Sequence, residues 1–273
     1  MNNLQAINFA NKILKANKIK SHSLDSELIL AKTLNSTREN LLINLNKKLK
    51  KKKFNNFKKL ILRRKKNEPV AQILKSKEFW KSSFFIDENV LIPRPETEII
   101  IEETLRIFRH KTKLNVLEIG IGSGCILLSI LKEKKNCKGV GIDISKKSVE
   151  LSKINALKLD INDRVKFLKS DVDNFFYGKY DLIVSNPPYI KKHDLKYLEL
   201  DVAKYEPRLA LDGGIDGVSE IIKVVDKSSK LVKKGGKLIL EINFDQVSKV
   251  KKILNKKGFY INKVLKDLSN NDR

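Results

Sequence analysis

The sequence predicts an α/β protein: a doubly wound, mostly parallel sheet that follows a small N-terminal helical bundle and a connecting β-hairpin. In the first quarter of the chain, apolar residues recur at three- and four-residue spacing, which is typical of helices. Beyond residue 115, short apolar runs alternate with helical patterns, as successive βαβ units require. Between these regions, 78–92 is rich in the aromatic and β-branched residues that favour strands. These changes of pattern divide the chain into 1–75, 76–93 and 94–273.

The first region is expected to contain four helices and no strand. Ser23 can cap the second helix, and Ser36-Thr37 precedes the third. The basic run 47–53 is interpreted as a solvated linker or as the start of the fourth helix. In the hairpin, 87–89 is the expected turn, because polar residues interrupt the aromatic run there.

The elements of the third region follow from the alternation of apolar and polar residues. Strands are predicted at 116–119, 139–143, 165–168, 181–185, 237–242 and 260–264, and helices at 96–108, 125–134, 146–159, 218–232 and 246–256. In open sheets of this kind, ligands bind at the carboxyl ends of the strands. Functional residues are therefore expected in the loops that follow the strands.

The chain is strongly basic, with a formal net charge of +25 from 57 Lys and Arg against 32 Asp and Glu. Residues 1–75 hold 19 of the basic residues and only 4 of the acidic ones. This charge is compatible with a nucleic acid or another polyanionic partner. Because Lys, Asn and Ile are abundant throughout the chain, compositional drift is the favoured main cause, and nucleic-acid binding is not expected for function.

Several classes of protein are excluded by what the sequence lacks. The two cysteines, Cys125 and Cys137, and the three scattered histidines predict neither a disulfide framework nor a metal site. No apolar run approaches the length of a membrane span, and 1–10 lacks the apolar core of a signal peptide. We therefore expect a cytoplasmic protein without a membrane partner.

A glycine-rich turn joins the first strand of the sheet to the next helix. It consists of Gly120, Ile121, Gly122, Ser123 and Gly124. Glycines permit a sharp turn and the close approach of a ligand above the N-terminus of the helix. The spacing G-x-G-x-G differs from the dinucleotide pattern G-x-G-x-x-G, which favours S-adenosylmethionine, a cofactor with no pyrophosphate. A dinucleotide site and a plain tight turn are the alternatives.

Acidic residues follow the next two strands. Asp143 lies 19 residues after Gly124, where a carboxylate can accept both ribose hydroxyls of a nucleoside. Its alternative role is to cap the following helix. Asp171 can accept from an adenine amino group while Val172 packs near the ring, or the pair can form an ordinary surface turn.

The most specific motif follows the fourth strand and comprises Asn186, Pro187, Pro188 and Tyr189. The prolines stiffen the loop and remove two backbone donors. The Asn186 side-chain carbonyl and the Pro187 backbone carbonyl can then accept both hydrogens of one planar NH2 group, and Tyr189 offers a flat face for stacking. An amide or amino nitrogen is a poor nucleophile, so holding it in line with a methyl donor is the main catalytic need. The motif therefore predicts methylation of a planar nitrogen.

Five segments together resemble the release factor glutamine methyltransferase family (PrmC/HemK). They are EPVAQI (68–73), EFW (78–80), LIPRPETE (91–98), SNPPYI (185–190) and YEPRLAL (205–211). The resemblance covers nearly the whole chain. It implies a class I, Rossmann-like methyltransferase that uses S-adenosylmethionine and releases S-adenosylhomocysteine. The implied substrate is the glutamine of the Gly-Gly-Gln motif of class 1 release factors, methylated to N5-methylglutamine, and the implied role of 1–75 is to dock the release factor.

Two departures from the family accompany this resemblance. Lys75 stands where the family often has a turn glycine, and 271–273 falls where the family usually continues into a final apolar strand. The second departure predicts an exposed sheet edge.

Two other functions are compatible with parts of the sequence. A DNA or RNA amino-group methyltransferase, acting on adenine N6 or guanine N2, would use the same acceptor pair on a flipped base. Such enzymes share the Asn-Pro-Pro-Tyr motif but lack LIPRPETE and EFW. A binding module that has lost activity is the second alternative, and the intact glycine turn and Asn-Pro-Pro-Tyr motif oppose it.

Overall fold

The computed structural model describes all 273 residues and divides the chain into two compact units. The first, here called the helical unit, comprises Met1–Ser76 and Glu199–Tyr205. The second, the sheet unit, comprises Lys77–Leu198 and Glu206–Arg273. Each unit has its own hydrophobic core.

The helical unit surrounds a core of small and large aliphatic side chains. Its first five helices are α1 (Asn3–Ala16), α2 (His22–Leu34), α3 (Arg38–Ile43), α4 (Lys51–Arg64) and α5 (Val70–Leu74). Phe57 and Ile61, one turn apart on α4, are both fully buried, while Lys58 and Lys59 of the same helix are exposed. Helix α4 therefore buries one face and exposes the other.

The starts and ends of these helices differ in part from the prediction. The second helix begins at His22, so Ser23 is not its cap: Asp25 N donates to Ser21 O at 2.9 Å and closes the first turn earlier. Thr37 does cap α3, because its hydroxyl accepts from Asn40 N at 3.2 Å. The additional short helix α5 ends at Lys75, whose φ of 53° is the left-handed conformation that glycine adopts most easily.

The sheet unit opens with a hairpin formed by β1 (Lys77–Phe79) and β2 (Ser82–Phe84). Its turn lies at Trp80, not at 87–89 as predicted. Trp80 has a φ of 53°, and two side chains hold it there: its backbone N–H donates to Glu98 at 2.6 Å and its indole N–H donates to Glu133 at 2.8 Å. These two hydrogen bonds reach residues that are distant in the sequence. The position of the turn therefore cannot be predicted from the strand propensity of the hairpin residues alone.

Five parallel strands form the sheet in the order β5-β4-β3-β6-β7. They are β3 (Asn115–Ile119), β4 (Lys138–Asp143), β5 (Val165–Lys169), β6 (Tyr180–Ser185) and β7 (Val232–Leu240). The later helices are α6 (Glu98–Ile107), α7 (Cys125–Glu133), α8 (Lys146–Lys158), α9 (Leu200–Tyr205, which belongs to the helical unit), α10 (Ser219–Leu231) and α11 (Val247–Lys256). This alternation confirms the predicted fold class. The strand order reverses between β3 and β6, the place where open sheets bind ligands.

The last part of the sheet departs from the prediction. The edge strand β7 begins at Val232, before the predicted 237, because Gly235 and Gly236 lie at a register shift that interrupts the apolar pattern. The predicted strand at 260–264 does not form. No backbone hydrogen bond joins this segment to β7, and a groove of about 810 Å³ is lined by both. A segment rich in β-forming residues does not become a strand when no neighbouring strand pairs with it.

Candidate active site

A cavity of about 320 Å³ lies at the carboxyl ends of β3, β4 and β6. Its wall includes ten of the residues that the sequence assigned to cofactor or substrate: Gly120, Ile121, Gly122, Ser123, Asp143, Asp171, Val172, Asn186, Pro187 and Pro188. Two assigned residues, Gly124 and Tyr189, are not part of the wall. Residues of 89–97 and 207–212 also contribute to the wall.

The glycine turn is shaped by backbone contacts with β4. Gly120 N and Ile121 N both donate to Ile142 O at 2.9 Å, and Gly122 N donates to the Asp143 carboxylate at 3.0 Å. Gly120 and Gly122 have φ values of 77° and 52°. Both conformations belong to the left-handed region, which glycine adopts at the lowest cost, so the fold favours glycine at these two positions.

Open space lies directly above these two glycines. A side-chain Cβ placed at Gly120 or Gly122 would meet no atom within 4 Å, whereas at Gly124 it would lie 3.0 Å from Leu128. Gly124 N also donates to Ile121 O at 2.7 Å. The first two glycines therefore form a bare cradle on the cavity, and Gly124 closes the turn into α7.

Asp143 lies beside this cradle with both carboxylate oxygens in use. One accepts from Gly122 N at 3.0 Å and the other from Ser145 N at 2.8 Å. Burial raises the pKa of this carboxyl, and the two backbone donors oppose the rise. The helix-cap role belongs to Ser145 instead, whose hydroxyl accepts from Ser148 N at 3.2 Å. Because each carboxylate oxygen has a second lone-pair direction, Asp143 can still accept from a ligand hydroxyl.

Asp171 and Val172 form a turn on the far side of the cavity. Asp171 accepts from Asp173 N at 3.0 Å, as an ordinary surface turn would. A buried lysine, Lys227, also stabilises this turn. Its ammonium group donates to Asp173 O at 3.0 Å and lies 3.6 Å from the centre of the Phe176 ring. Its place in the cavity wall makes a ligand contact geometrically available to both residues.

Asn186 and Pro187 both line the cavity, and each has a carbonyl oxygen without a hydrogen-bond donor in the protein. The Asn186 amide nitrogen donates to the Thr97 hydroxyl at 3.2 Å, and no protein group donates to its carbonyl oxygen. No hydrogen bond within the protein reaches the Pro187 carbonyl oxygen either. Ser185, just before them, donates to Ile119 O at 2.6 Å and so ties this loop to the strand that leads into the glycine turn.

Tyr189 is not among the residues that line the cavity. Its ring packs against a separate apolar cluster that includes Val218 and Ile242. Its hydroxyl donates to Glu241 at 3.3 Å, and burial, followed by the charge of Glu241, raises the pKa of the phenol. The stacking face predicted for this tyrosine is therefore not part of the cavity wall, and the geometry gives that role no support.

The loop that carries these residues is held by close backbone contacts. A Cβ at Gly213 would lie 2.8 Å from Pro188 O and from Tyr189 Cα. Gln246 is buried and donates to Tyr189 O at 2.9 Å. These contacts fix the backbone of the loop from two further elements, which the sequence did not reveal.

Three buried acids near the cavity also went unassigned. Glu118 accepts from Leu127 N at 2.8 Å, and burial raises its pKa well above the ordinary value. Glu206 accepts from Ile92 N at 3.2 Å and pairs with Arg94. Glu241 accepts from the Thr97 hydroxyl at 2.6 Å. Each is a lone acid next to apolar residues in the sequence, which is the signal that would have marked it.

The chemistry of this wall suits a nucleoside cofactor. The bare glycine cradle admits a ligand close to the backbone, and Asp143 and Asp171 place acceptors on two sides of it. No group of three or more His, Cys, Asp or Glu side chains is arranged to hold a metal ion. None of the helices combines the length and the apolar character that crossing a membrane demands.

Known proteins resemble this chain along most of its length. A family profile described as the PrmC N-terminal domain matches residues 5–74, and one described as the methyltransferase small domain matches residues 99–263. A release factor glutamine methyltransferase from Caulobacter vibrioides is 36% identical, covering 95% of this chain and 90% of the relative. One from Clostridium botulinum is 37% identical, with coverage of 96% and 93%.

The chain belongs to the release factor glutamine methyltransferase family. A bifunctional methyltransferase from Rickettsia conorii is also 34% identical over 95% of this chain, which spans 55% of that longer relative. Membership in the family confirms the resemblance indicated by the sequence segments. The methyltransferase small domain profile includes the glycine turn and Asn186, while Thr97 lies just before its match.

Proposed function

We propose that this enzyme transfers a methyl group from S-adenosylmethionine to the side-chain amide nitrogen of the glutamine in the Gly-Gly-Gln motif of class 1 release factors. The products are N5-methylglutamine and S-adenosylhomocysteine. The observation that carries the proposal is the pair of unpartnered carbonyl oxygens, Asn186 Oδ1 and Pro187 O, beside the glycine cradle. Family membership supports the substrate class.

The acceptor pair explains the choice of a planar NH2 group. A primary amide has two N–H donors in one plane, and two fixed acceptors can engage both at once. Pro187 and Pro188 lack N–H groups, so this stretch of the loop offers no backbone donor that would compete. Asn186 and Pro187 would thereby fix the direction in which the nitrogen lone pair faces, which is the main contribution of positioning to the rate.

The cradle and the two acidic residues of the cavity wall would hold the cofactor. Asp143 would accept from the ribose hydroxyls, Asp171 from the adenine amino group, and Gly120 and Gly122 would admit the rest of the molecule against bare backbone. When bound, S-adenosylmethionine supplies a methyl group on a positively charged sulfur. Once the methyl group has been transferred, the amide nitrogen carries a positive charge and both of its original protons. This cation is strongly acidic and gives one proton to water, so the site needs no strong general base.

The helical unit is the proposed docking surface for the release factor. Residues 1–75 carry the excess of basic side chains noted above, and such a surface would attract an acidic partner and increase its association rate. Its hydrophobic core is separate from that of the sheet unit, which suits a recognition module. A substrate that acts in translation termination would place the enzyme in the cytoplasm.

Purified enzyme and methyl-labelled S-adenosylmethionine test the substrate directly. We expect label to enter a class 1 release factor, and to be lost when the Gly-Gly-Gln glutamine of that factor is replaced by alanine. DNA and RNA, offered in parallel, should stay unlabelled. Labelled nucleic acid with an unlabelled release factor would instead favour the amino-group methyltransferase alternative.

A further inference from the structure

A chain of hydrogen bonds runs from Glu241 through Thr97 to Asn186, behind the acceptor pair. The Thr97 hydroxyl donates to Glu241 at 2.6 Å, and the Asn186 amide nitrogen donates to that hydroxyl at 3.2 Å. Thr97 and Glu241 are 3% and 4% exposed, so water does not compete for these bonds. The chain comes from three separate segments: the turn before α6, the end of β6 and the end of β7.

The direction of this chain determines which end of the Asn186 amide faces outward. A threonine hydroxyl has one proton, and a proton donated to Glu241 leaves only lone pairs to face Asn186. Asn186 must therefore present its NH2 group to Thr97. Its carbonyl oxygen lies on the other side of the planar amide and remains free for the cavity.

Glu241 is placed to keep the chain in this direction. It accepts from two hydroxyls, those of Thr97 and Tyr189, as an ionised carboxylate does. Burial raises the pKa of Glu241, and the Thr97 hydroxyl, the charge of Arg273 and the Tyr189 hydroxyl oppose that rise. A carboxylate with two donors has no proton to reverse the chain.

We propose that Thr97, anchored by Glu241, is a positioning residue that keeps the Asn186 carbonyl oxygen turned towards the substrate amide. The inference rests on the proposed function for the identity of that substrate. Without the Thr97 hydroxyl, the amide can rotate by half a turn and present NH2 to the NH2 of the substrate. Two donors then face each other, and the acceptor pair is lost although Asn186 is still present.

The test compares Thr97→Val, Thr97→Ser and a matched control. Valine keeps the shape of threonine without the hydroxyl, and serine restores the hydroxyl. Thr104→Val is the control, because Thr104 is also a fully buried threonine of the sheet unit and its hydroxyl has no partner. Methylation of a release factor is measured for kcat and KM, and cofactor affinity by calorimetry.

We expect Thr97→Val to lower kcat about 10- to 100-fold, the range for loss of a partner that orients a functional side chain, with cofactor Kd unchanged within about twofold. Thr97→Ser should recover most of the loss, and Thr104→Val should match the wild type. Normal kcat in Thr97→Val, beside an active wild type, would overturn the inference while leaving the proposed function intact. An inactive wild type would instead count against the proposed function.

A second measurement does not depend on activity. In NMR spectra, the Asn186 NH2 protons should show contacts to the γ-methyl group of Thr97, and Thr97→Val keeps a γ-methyl group at the same place. We expect these contacts to weaken or disappear in Thr97→Val. Unchanged contacts would show that the amide does not rotate and would overturn the inference. If Thr97→Val does not fold, kcat is measured for Thr97→Ala, whose smaller side chain fits the same space. A lowered kcat would support the inference, and a normal kcat would overturn it.

Discussion

Asn186 has one carbonyl oxygen and one NH2 group, and only the oxygen can accept from a substrate amide. The sequence indicated that this residue would follow a strand and meet a substrate. It did not indicate which end of its side chain would face the cavity. That information resides in Thr97 and Glu241, which are distant in the chain and meet Asn186 only in the folded protein.

Replacement of Asn186 by alanine removes one of the two acceptors for the substrate. We expect kcat to fall by about 100- to 1,000-fold, comparable to the loss of one oxyanion-hole donor, while cofactor Kd changes little. Steady-state kinetics and calorimetry measure the two effects. Asn162→Ala, at an exposed position, serves as the control. A normal kcat for Asn186→Ala would contradict the role given to the acceptor pair.

Among the residues of the cavity wall, Asp143 is the one whose replacement should weaken cofactor binding most. Asp143→Ala removes the proposed acceptor for the ribose and also the partner of Gly122 N, so the cradle loses a support. We expect cofactor affinity to fall by about 10- to 100-fold, since hydrogen bonds to a charged group contribute roughly 1.5–3 kcal/mol. Calorimetric titration measures this change. Equal affinity in Asp143→Ala and in the exposed Asp163→Ala would exclude the proposed contact.

Among the elements, those with a strong apolar period were predictable and those fixed by distant contacts were not. Strands β3, β4, β5 and β6 lie within a residue of the prediction, because their apolar runs are bounded by turns. The hairpin turn was misplaced since Glu98 and Glu133 hold Trp80 from outside the hairpin. The start of β7 was missed since glycines break its pattern.

At the amino end of strand β6, opposite the cavity, Asp181 is held by two lysines and a backbone N–H, a cluster here called the charged clamp. Asp181 is bound by Lys111 at 2.6 Å, by Lys233 at 2.8 Å and by Asn115 N at 2.9 Å. Burial alone would raise the pKa of Asp181, but these donors outweigh it and lower the pKa from 3.8 to about 2. The clamp joins the starts of β3, β6 and β7.

Asp181→Asn should therefore destabilise the protein at neutral pH by about 2 kcal/mol, the free energy linked to a pKa lowered by nearly two units. Because the folded-state pKa is depressed, this stabilisation is fully present above about pH 4 and is lost as the pH falls towards 2. Urea unfolding of both proteins, from pH 7 to the lowest pH at which both fold, measures the difference. A difference that stays constant down to that pH would show that the charge of Asp181 is not its source.

Helices α2 and α4 are joined by a buried ion pair between Arg64 and Asp25 at 2.7 Å. Arg64→Ala leaves a buried carboxylate without its counter-charge, and we expect a loss of about 3–5 kcal/mol in unfolding free energy. The adjacent Arg63, which pairs with Glu68 at the surface, is the matched control, and Arg63→Ala should cost less than about 1 kcal/mol. Circular dichroism during urea unfolding measures both. Similar losses for the two variants would contradict the importance of burial here.

For the whole molecule, composition was a weaker guide than the arrangement of motifs. The net charge of +25 is compatible with a polyanionic partner, yet two relatives that match most of the chain, from Caulobacter vibrioides and Clostridium botulinum, are named for action on release factors. In the sequence, the segments LIPRPETE and YEPRLAL indicate the family and reveal no structural role. In the fold they carry Arg94 and Glu206, which pair with each other, and Thr97, which orients Asn186. The spacing of residues within these segments does not predict these contacts, because the partners lie 89 to 114 residues away in the sequence.

The central claim is that the enzyme methylates one side-chain amide nitrogen in a release factor. Tandem mass spectrometry of a class 1 release factor, incubated with enzyme and S-adenosylmethionine, locates the methyl group. We predict a single added methyl on the side-chain amide of the Gly-Gly-Gln glutamine, formed rapidly by the wild type and far more slowly by Asn186→Ala. A release factor left unmodified by active, cofactor-binding enzyme, or a methyl group found at another residue, would contradict the account.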